Sequence, residues 1–337
     1  MRTGKLYIDG NDAYLRYGVY VVQGGYDELV AMPPLKEPQK NDWHEEDGIE
    51  VDLENPVLDA REVSVTFAVA GILNRFADFM ELLSDRAYHV FEFAEIQRTF
   101  KLRLTSSPKS DNVRVLGIFS LKFFDDFPMQ GYQYKEPLPD IMRMDEYQID
   151  GKDLSEYGVR VLKGTMMEVT KLPAVKLNLE TKSSYSAGRT YDNSSVTFKS
   201  KEVKINCLLR AETLEQLWRN YDALLHDLTQ PNERELYSKE LEHFFTFYYK
   251  SCKVAKFFPD GDIWLEFVLT ITITGNLRLD GRDGFVLAAQ NLDIIITEDG
   301  INAIDLAPDK NSYPSVRFIN DRSTLRITGA GTLRFNN

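Results

Sequence analysis

Several segments of the chain alternate apolar with polar or small residues, which is the pattern of half-buried β-strands. The longest lies in the second half, where Phe267, Leu269 and Ile271 alternate with Val268 and Thr270. Aromatic residues are abundant, with 20 Phe and 17 Tyr, and they favour strands over helices. The pattern therefore predicts a mainly β protein. Strands are predicted at residues 5–8, 18–22, 63–67, 100–104, 113–123, 147–149, 158–162, 203–207, 244–249 and 263–273.

Two further segments place large apolar residues at intervals of three and four, which predicts two amphipathic α-helices. Thr213 followed by Gln216 is a capping-box start for the second helix. We expect each helix to cover one open face of a sheet, which makes the fold class α+β with strands dominant. The predicted core-facing residues are Ile72, Phe76, Phe79, Leu82 and Leu83 in the first helix and Leu214, Trp218, Tyr221, Leu224 and Leu225 in the second.

The same short motifs occur twice, about 140 residues apart. Repeats this long are typical of tandem domains, because the repeats of a solenoid span only about 20–50 residues. We therefore predict a first domain at residues 1–135, a second at 136–275 and a small β-rich segment at 276–337. The recurring motifs are Ile8-Asp9-Gly10 with Ile149-Asp150-Gly151, Tyr17-Gly18-Val19 with Tyr157-Gly158-Val159, and Glu62-Val63 with Glu202-Val203.

Each repeat contains a long polar stretch, at residues 25–60 and 165–200, which we call the first arm and the second arm. Connections of this length are uncommon in compact domains and are usually functional or disordered. In the second arm, Val175, Leu177 and Leu179 alternate with polar neighbours, which predicts an extended hairpin. The first arm carries most of an acidic cluster, since ten acidic residues face three basic ones between positions 36 and 62.

The overall composition is that of a soluble globular protein, because 43% of the 337 residues are hydrophobic and 27% are charged. No apolar run approaches the roughly 20 residues of a membrane helix. The first residues of the sequence lack the apolar segment of a secretory signal. We therefore expect neither membrane insertion nor export by that route. The net charge of −12 argues against sequence-specific DNA binding, which requires a basic surface.

The sequence contains no catalytic signature of the serine-hydrolase, zinc-protease, phosphate-loop or dinucleotide-binding type. Of its four scattered histidines, His226 is expected at a helix end. His44–Asp47 could bind a hard cation through its carboxylates, but its spacing matches no calcium loop and a solvated acidic loop is favoured. Asp260–Asp262 is interpreted as a turn, and Cys207 and Cys252 as reduced strand residues. No catalytic, cofactor-binding or metal-binding residue is predicted.

The order of these elements resembles the tail-tube fold of bacteriophages. More narrowly, the chain is similar to the N-terminal domain of distal tail proteins from long-tailed siphophages. The motifs that carry the likeness are the Ile-Asp-Gly turns, the Tyr-Gly-Val strands and the strand starts at Arg61-Glu62-Val63 and Lys201-Glu202-Val203. The stretch from Pro34 to Arg61 resembles the arm of such proteins. The resemblance covers about residues 5–127 and 145–274.

The resemblance implies two tandem tail-tube-like β-sandwich or split-barrel domains, each with one packed helix. It implies a non-enzymatic role in which subunits join sheet edge to sheet edge into a ring and rings stack along the tail. The arms would become ordered on neighbouring subunits, and an acidic lumen would let DNA pass. The implied partners are the tail tube and tail-tip or hub proteins. The implied location is the bacterial cytoplasm during assembly and then the virion tail.

Two departures from distal tail proteins affect the expected assembly. Those proteins carry a larger galectin-like domain where this chain has its second repeat, and residues 276–337 are too few for that domain. Tandem tube domains are instead a feature of baseplate hub proteins, in which a trimer presents six similar domains. The hypothesis is therefore a ring of three chains with pseudo-six-fold symmetry, with a hexamer of chains as the other possibility.

A carbohydrate- or surface-binding β-module protein is the alternative interpretation. Its candidate stacking platforms are Trp43, Trp218 and Trp264. Trp218 falls on the core face of the second helix and Trp264 in an apolar strand, so only Trp43 is expected to be exposed. An enzyme is the third possibility, and it would depend on a pocket that the sequence does not reveal.

Overall fold

The structure is a computed structural model, which describes residues 3–70, 75–85, 87–106, 117–177, 180–181, 184–185, 187–191, 196–277, 304–305, 315–318 and 324–326. The chain forms two compact units, Met1–Leu277 and Arg278–Asn337. The first unit contains both predicted repeats. In the second unit, three short strands pair in sequence order; most of the predicted β-rich segment at 276–337 lies outside the described residues.

Seven of the first nine strands form one antiparallel sheet, the first sheet, in the order β2-β1-β7-β8-β9-β6-β3. Strands β4 and β5 pair with each other in the first arm. The predicted strand at 113–123 is observed from Ile118, and its residues 113–116 lie outside the described ranges. The strands are β1 Leu6–Ile8, β2 Asn11–Asp12, β3 Val19–Val21, β4 Lys40–Asn41, β5 Glu50–Val51, β6 Arg61–Val69, β7 His89–Phe93, β8 Arg98–Ser106 and β9 Ile118–Asp125.

The second sheet repeats this order element for element, as β11-β10-β16-β17-β18-β15-β12. Strands β13 and β14 pair in the second arm, where a hairpin was predicted; Leu179 lies outside the described residues. The remaining strands are β10 Tyr147–Ile149, β11 Lys152–Asp153, β12 Val159–Val161, β13 Glu180–Thr181, β14 Thr190–Tyr191, β15 Lys201–Ala211, β16 Arg234–Ser238, β17 His243–Phe258, β18 Ile263–Gly275, β19 Ile304–Asp305, β20 Ser315–Phe318 and β21 Thr324–Arg326.

Besides the two predicted helices, short helices follow the first hairpin of each sheet and begin each arm. Helix α3 has 8 residues and helix α5 has 15, and Ile72 lies outside the described residues. The helices are α1 Ala13–Tyr17, α2 Asp27–Val30, α3 Phe76–Leu83, α4 Thr165–Thr170 and α5 Leu214–Leu228, with a 3₁₀ helix at Leu154–Tyr157.

The repeated Ile-Asp-Gly motif makes a tight hairpin turn in both sheets. Asp9 and Gly10 have φ of 50° and 77°, and Asp150 and Gly151 have φ of 51° and 81°. Two consecutive residues with positive φ match the right-handed twist of the flanking strands, and Asp-Gly is among the residue pairs that adopt this conformation most readily. The turn therefore recurs for a local reason that the sequence itself contains.

The repeated Tyr-Gly-Val motif ends a short helix. Asp12 caps α1 by accepting hydrogen bonds from the next turn, and Gly18 ends it with φ of 74°. Asp153 and Gly158 do the same for the 3₁₀ helix, where Gly158 has φ of 72°. Glycine is favoured at such ends because it adopts the left-handed conformation without a Cβ clash.

Both sheets curl and bury an aromatic core beneath their long helix, and the mainly β, α+β fold class is confirmed. In the first sheet, the ring centroids of Phe67 and Phe79 lie 5.7 Å apart. In the second, those of Tyr221 and Phe267 lie 5.2 Å apart. The predicted capping of α5 is confirmed, because Thr213 Oγ1 accepts the Gln216 N–H at 3.2 Å.

Candidate assembly interface

The first arm lies on the second sheet of the same chain, to which its main chain is hydrogen-bonded. The Leu35 N–H donates to the carbonyl of Lys250 in β17 at 3.0 Å, and the Ile49 N–H donates to the carbonyl of Thr274 in β18 at 3.0 Å. Main-chain bonds of this kind depend little on side-chain identity. They explain how an arm of low hydrophobicity is held in place.

Gly48 brings the tip of the first arm into close contact with β18. Its φ is +76°, and a Cβ at this position would lie 1.6 Å from the Thr274 carbonyl oxygen. Its N–H also donates to the Phe198 carbonyl at 2.8 Å. Glycine is required here both for the conformation and for the space.

Lys176 in the second arm is buried under the first arm. Its Nζ donates to the carbonyls of Trp43 and Gly48, each at 2.6 Å, and lies 2.6 Å from the Asp42 carboxylate. A buried ammonium requires several such acceptors, because desolvation of an unpaired charge costs several kcal/mol. The three partners therefore anchor the acidic arm on a cation of the second repeat.

The acidic loop His44–Asp47, predicted to be solvated, takes part in this contact. The Phe198 N–H donates to Asp47 Oδ1 at 2.8 Å, and Thr197 Oγ1 donates to the His44 carbonyl at 2.7 Å. The loop thus contacts the second arm through oxygen atoms. In the part of the chain that the structure describes, no group of three or more His, Cys, Asp or Glu could hold a metal ion.

Met32 and Pro33 of the first arm lie beside Tyr249 of the second sheet. The Tyr249 hydroxyl donates to the Pro33 carbonyl at 2.9 Å, and Met32 is buried at 2% exposure. Burial holds the pKa of the Tyr249 phenol well above its usual range. The hydroxyl therefore stays protonated and remains a donor to the arm.

A second junction joins helix α5 to the β7–β8 hairpin of the first sheet. Trp218 is 7% exposed, and its Nε1 donates to the Ile96 carbonyl at 2.7 Å. The Arg98 guanidinium lies 4.3 Å from the Trp218 ring centroid and 2.5 Å from the Asp222 carboxylate. Burial raises the pKa of Asp222, and Arg98 opposes that rise. Aromatic, cationic and hydrogen-bonding contacts converge at this junction.

A cavity of about 450 Å³ lies beside this junction. Its two carboxylates, Asp125 and Asp222, are paired with Arg61 at 3.0 Å and with Arg98 at 2.5 Å. Each carboxylate of the cavity is therefore paired with an arginine guanidinium, which carries no hydrogen-bond acceptor. The cavity therefore offers binding space between the sheets, lined by these two arginine-paired carboxylates.

Arg61 and Lys201 occupy the same place in the two repeats, at the end of the short helix that begins each arm. Arg61 donates to the carbonyl of Leu29 at 3.1 Å and to that of Ala31. Lys201 Nζ donates to the carbonyls of Val169 at 2.5 Å and Lys171 at 2.8 Å. Cations at a helix C-terminus satisfy its unpaired carbonyls. The Arg/Lys-Glu-Val motif recurs because its cation holds the arm.

Replacing Lys201 with methionine is expected to lower the free energy of unfolding by about 1–3 kcal/mol, because the partly buried Val169 carbonyl and the exposed Lys171 carbonyl lose their donor. Lys201→Arg is the matched control and should stay near wild type, since Arg61 makes the same contacts in the first repeat. Burial lowers the pKa of Lys201 to about 8, whereas arginine keeps its charge. Urea denaturation at pH 7 measures both; equal losses in the two variants would contradict the assignment.

The three tryptophans lie on different elements and form no shared stacking surface. Trp43, in the first arm, is 51% exposed, and its Nε1 donates to Glu50 Oε2 at 3.0 Å. Trp218 is buried in α5, as predicted. Trp264 stacks on Phe258 with ring centroids 4.5 Å apart. Of the three rings, that of Trp43 is the most exposed, and it is the candidate to receive a sugar ring.

Both cysteines lie in strands and Asp260–Asp262 lies in a turn, as predicted. Cys207 is buried and Cys252 is half-buried, and both are free thiols in strands. Burial raises the pKa of Cys207, and it raises that of Cys252 to about 11, so neither is an activated thiolate at neutral pH. Asp260–Asp262 forms the turn between β17 and β18, with Gly261 at φ 72°.

The histidines are scattered, as expected, but His89 has a contact that the sequence did not indicate. His226 lies in the last turn of α5. His89 is buried, with Nδ1 2.6 Å from Asp9 Oδ2. In the second sheet Arg234 donates to Asp150 Oδ2 at 3.0 Å. The turn aspartate is present in both repeats, but its side-chain partner is a histidine in the first and an arginine in the second. We therefore infer that His89 stabilises the Asp9 turn. A repeat alignment that paired β7 with β16 could have shown this.

No helix within the described ranges has the length and apolar character of a membrane-spanning segment. No protein-family model matches the sequence, and no curated protein does. Among solved structures, the chain is similar to "Crystal Structure of SPP1 Dit (gp 19.1) Protein, a Paradigm of Hub Adsorption Apparatus in Gram-positive Infecting Phages". That similarity has 10% identity and a TM-score of 0.28, and covers 55% of this chain and 83% of that chain. A TM-score of this size does not establish a shared fold.

Proposed function

We propose that the chain is a non-enzymatic structural component of a phage or prophage tail tip or baseplate. In this role it forms or joins a ring between tail tube and tip through which DNA passes. The observation that carries the proposal is the docking of the first arm on the second sheet through main-chain hydrogen bonds, such as Leu35 N–H to the Lys250 carbonyl. An arm that binds a neighbouring sheet through main-chain hydrogen bonds is suited to joining domains or subunits.

The two sheets are, in this proposal, tandem domains at residues 1–135 and 136–275 that arose by internal duplication. Their identical strand order supports this, as do the matching Asp-Gly turns and helix-ending glycines. Residues 276–337 form a small additional β-rich segment. Two similar domains in one chain then present two similar surfaces to their neighbours.

Three chains would supply six such domains, which suits a ring of pseudo-six-fold symmetry; six chains are the other arrangement. A closed ring leaves no subunit with an unpaired edge. The tail tube and the tail-tip or hub proteins would bind its two faces. The net charge of −12 disfavours binding to DNA phosphates, so DNA can pass without being retained. The protein would be in the bacterial cytoplasm during assembly and in the virion tail afterwards.

Electron microscopy of tail particles from a bacterial strain that carries the gene tests this function. The chain, tagged for labelling, is expected at the tail tip in an annular density with three copies per ring. Purified tails that lack the chain would overturn the proposal. Six copies with one domain of each lining the bore would overturn the trimer alone. A glycan array, with Trp43→Ala as the control, would detect the alternative sugar-binding role.

A further inference from the structure

The second arm exposes the apolar residues whose counterparts in the first arm are buried. Met32 and Leu35 are 2% and 9% exposed where the first arm lies on the second sheet. Leu172 and Val175, each 140 positions further along, are 76% and 52% exposed. Exposed apolar side chains on an ordered segment indicate a contact surface. The second arm therefore has the same apolar face by which the first arm docks, but in the second arm this face is exposed.

Where each arm joins its sheet, the described residues of the two arms have the same main-chain pairing, so these counterpart positions are equivalent in structure as well as in sequence. Lys36 N–H donates to the Val57 carbonyl at 2.8 Å, and Lys176 N–H donates to the Thr197 carbonyl at 2.8 Å. The other equivalent pairs are Asp59 to Pro34 with Lys199 to Ala174, and the bridges Leu35–Leu58 with Val175–Phe198.

Gly188 in the second arm is the counterpart of Gly48. Its φ is +87°, and nothing lies within 4 Å of the place where a Cβ would be. Gly48 has φ +76° and is pressed against the Thr274 carbonyl. The second arm thus has a glycine in the conformation that permits close backbone contact, with open space in front of it.

The first sheet has the acceptor that such an arm requires. In β17 the ladder to β18 skips one residue between Tyr249 and Ser251, and the carbonyl of the skipped residue, Lys250, accepts the arm's N–H. In β8 the ladder to β9 skips one residue between Leu104 and Ser106. The skipped residue of a bulge leaves the regular pairing, and Thr105 is therefore the equivalent of Lys250.

Two second-arm side chains that the first arm covers show the same difference in burial from their counterparts. Lys176 and Thr197, which the first arm covers, are 4% and 6% exposed. Their counterparts in the first arm are Lys36, which is exposed, and Val57, which is 56% exposed. Within one chain, both halves of a second arm-on-sheet contact are thus present and uncovered.

We propose that the second arm binds the first sheet of another copy of this chain, and that the Val175 N–H donates to the Thr105 carbonyl. The contact repeats, between chains, the one that the first arm makes within the chain. This inference rests on the proposed ring function, and it adds the partner and the two surfaces that are in contact. Because the two surfaces differ, the contact is head-to-tail and generates a closed ring when the rotation closes.

Paired cysteines test the contact in the full-length chain. Val175→Cys combined with Thr105→Cys, treated with a short bismaleimide, is expected to give covalent dimers and higher multimers. The matched control, Leu35→Cys with Lys250→Cys, should cross-link within one chain and leave its mass unchanged on a denaturing gel. Each single variant controls for Cys207 and Cys252. Absence of multimers from the 175/105 pair at the highest soluble concentration would overturn the inference.

Two substitutions give an independent measurement by sedimentation. Val175→Asp is expected to weaken self-association by at least about tenfold with an unchanged melting temperature, because the side chain is half-exposed in the monomer. Gly188→Ala should also weaken it, whereas Gly261→Ala, with φ +72° and equally open space, should not. Rings that form normally in both arm variants would overturn this contact but leave the tail function intact; tails without the chain would overturn the function.

Discussion

Replacing Gly48 with valine is expected to release the first arm from the second sheet and to lower the free energy of unfolding by about 2–4 kcal/mol. The new Cβ would stand 1.6 Å from the Thr274 carbonyl oxygen, which belongs to the main chain of β18 and not to a flexible side chain. The arm must therefore shift, and the Gly48 and Ile49 N–H groups lose acceptors that lie at 2.8 Å and 3.0 Å. Urea denaturation measures the loss.

Hydrogen exchange gives the local readout, since the Ile49 amide should lose its protection while strand β18 keeps its own. Gly188→Val is the matched control, because Gly188 has the same kind of backbone conformation but open space. In dilute monomer it should cost only the conformational strain, about 1–2 kcal/mol. If the two variants lost equal stability and Ile49 stayed protected, the tight contact at Gly48 would be disproved.

Trp218→Ala is expected to lower the free energy of unfolding by about 3–5 kcal/mol, as for other large aromatic residues removed from a core. The indole packs against Phe257 with ring centroids 5.5 Å apart, donates to Ile96 and lies under the Arg98 guanidinium. All of these contacts join helix α5 to neighbouring structure. Their loss leaves a void at the junction of the two sheets.

Two controls separate the contributions at this junction. Trp218→Phe keeps most of the ring but removes the donor to Ile96, and should cost about 1–2 kcal/mol. Trp43→Ala removes a ring that is 51% exposed and should cost less than about 1 kcal/mol. Guanidinium denaturation followed by circular dichroism gives all three values. A Trp218→Ala loss as small as that of Trp43→Ala would show that the junction is not a core.

The elements that sequence patterns predicted are those with local causes. The alternation in β18, the apolar stripe of α5 and its Thr213 cap were all identified from neighbours within a few residues. Strands β7 and β16 were not, although His89–Phe93 is buried at alternate positions. Neither strand contains one of the motifs that recur about 140 residues apart.

Long-range contacts account for what was missed at the candidate interface. Lys176 resembles any surface lysine in the sequence, and its burial depends on Asp42, Trp43 and Gly48, more than 120 positions away. The acidic loop around Asp47 was interpreted as solvated because acidic residues usually are. Its contact with Phe198 exists only because the two sheets lie side by side.

The sequence by itself determined the β-rich class, the repeated turns and helix ends, and the positions of both arms. Turns and caps depend on φ preferences and on hydrogen bonds between residues close in the chain. A short stretch of sequence is therefore enough to predict them. Only the tertiary structure decided that the apolar residues Met32 and Leu35 of the first arm are covered while their counterparts Leu172 and Val175 in the second arm are exposed. Two arms with matching sequence patterns differ in burial because one has a sheet of its own chain within reach, and that difference belongs to the arrangement of the sheets in space.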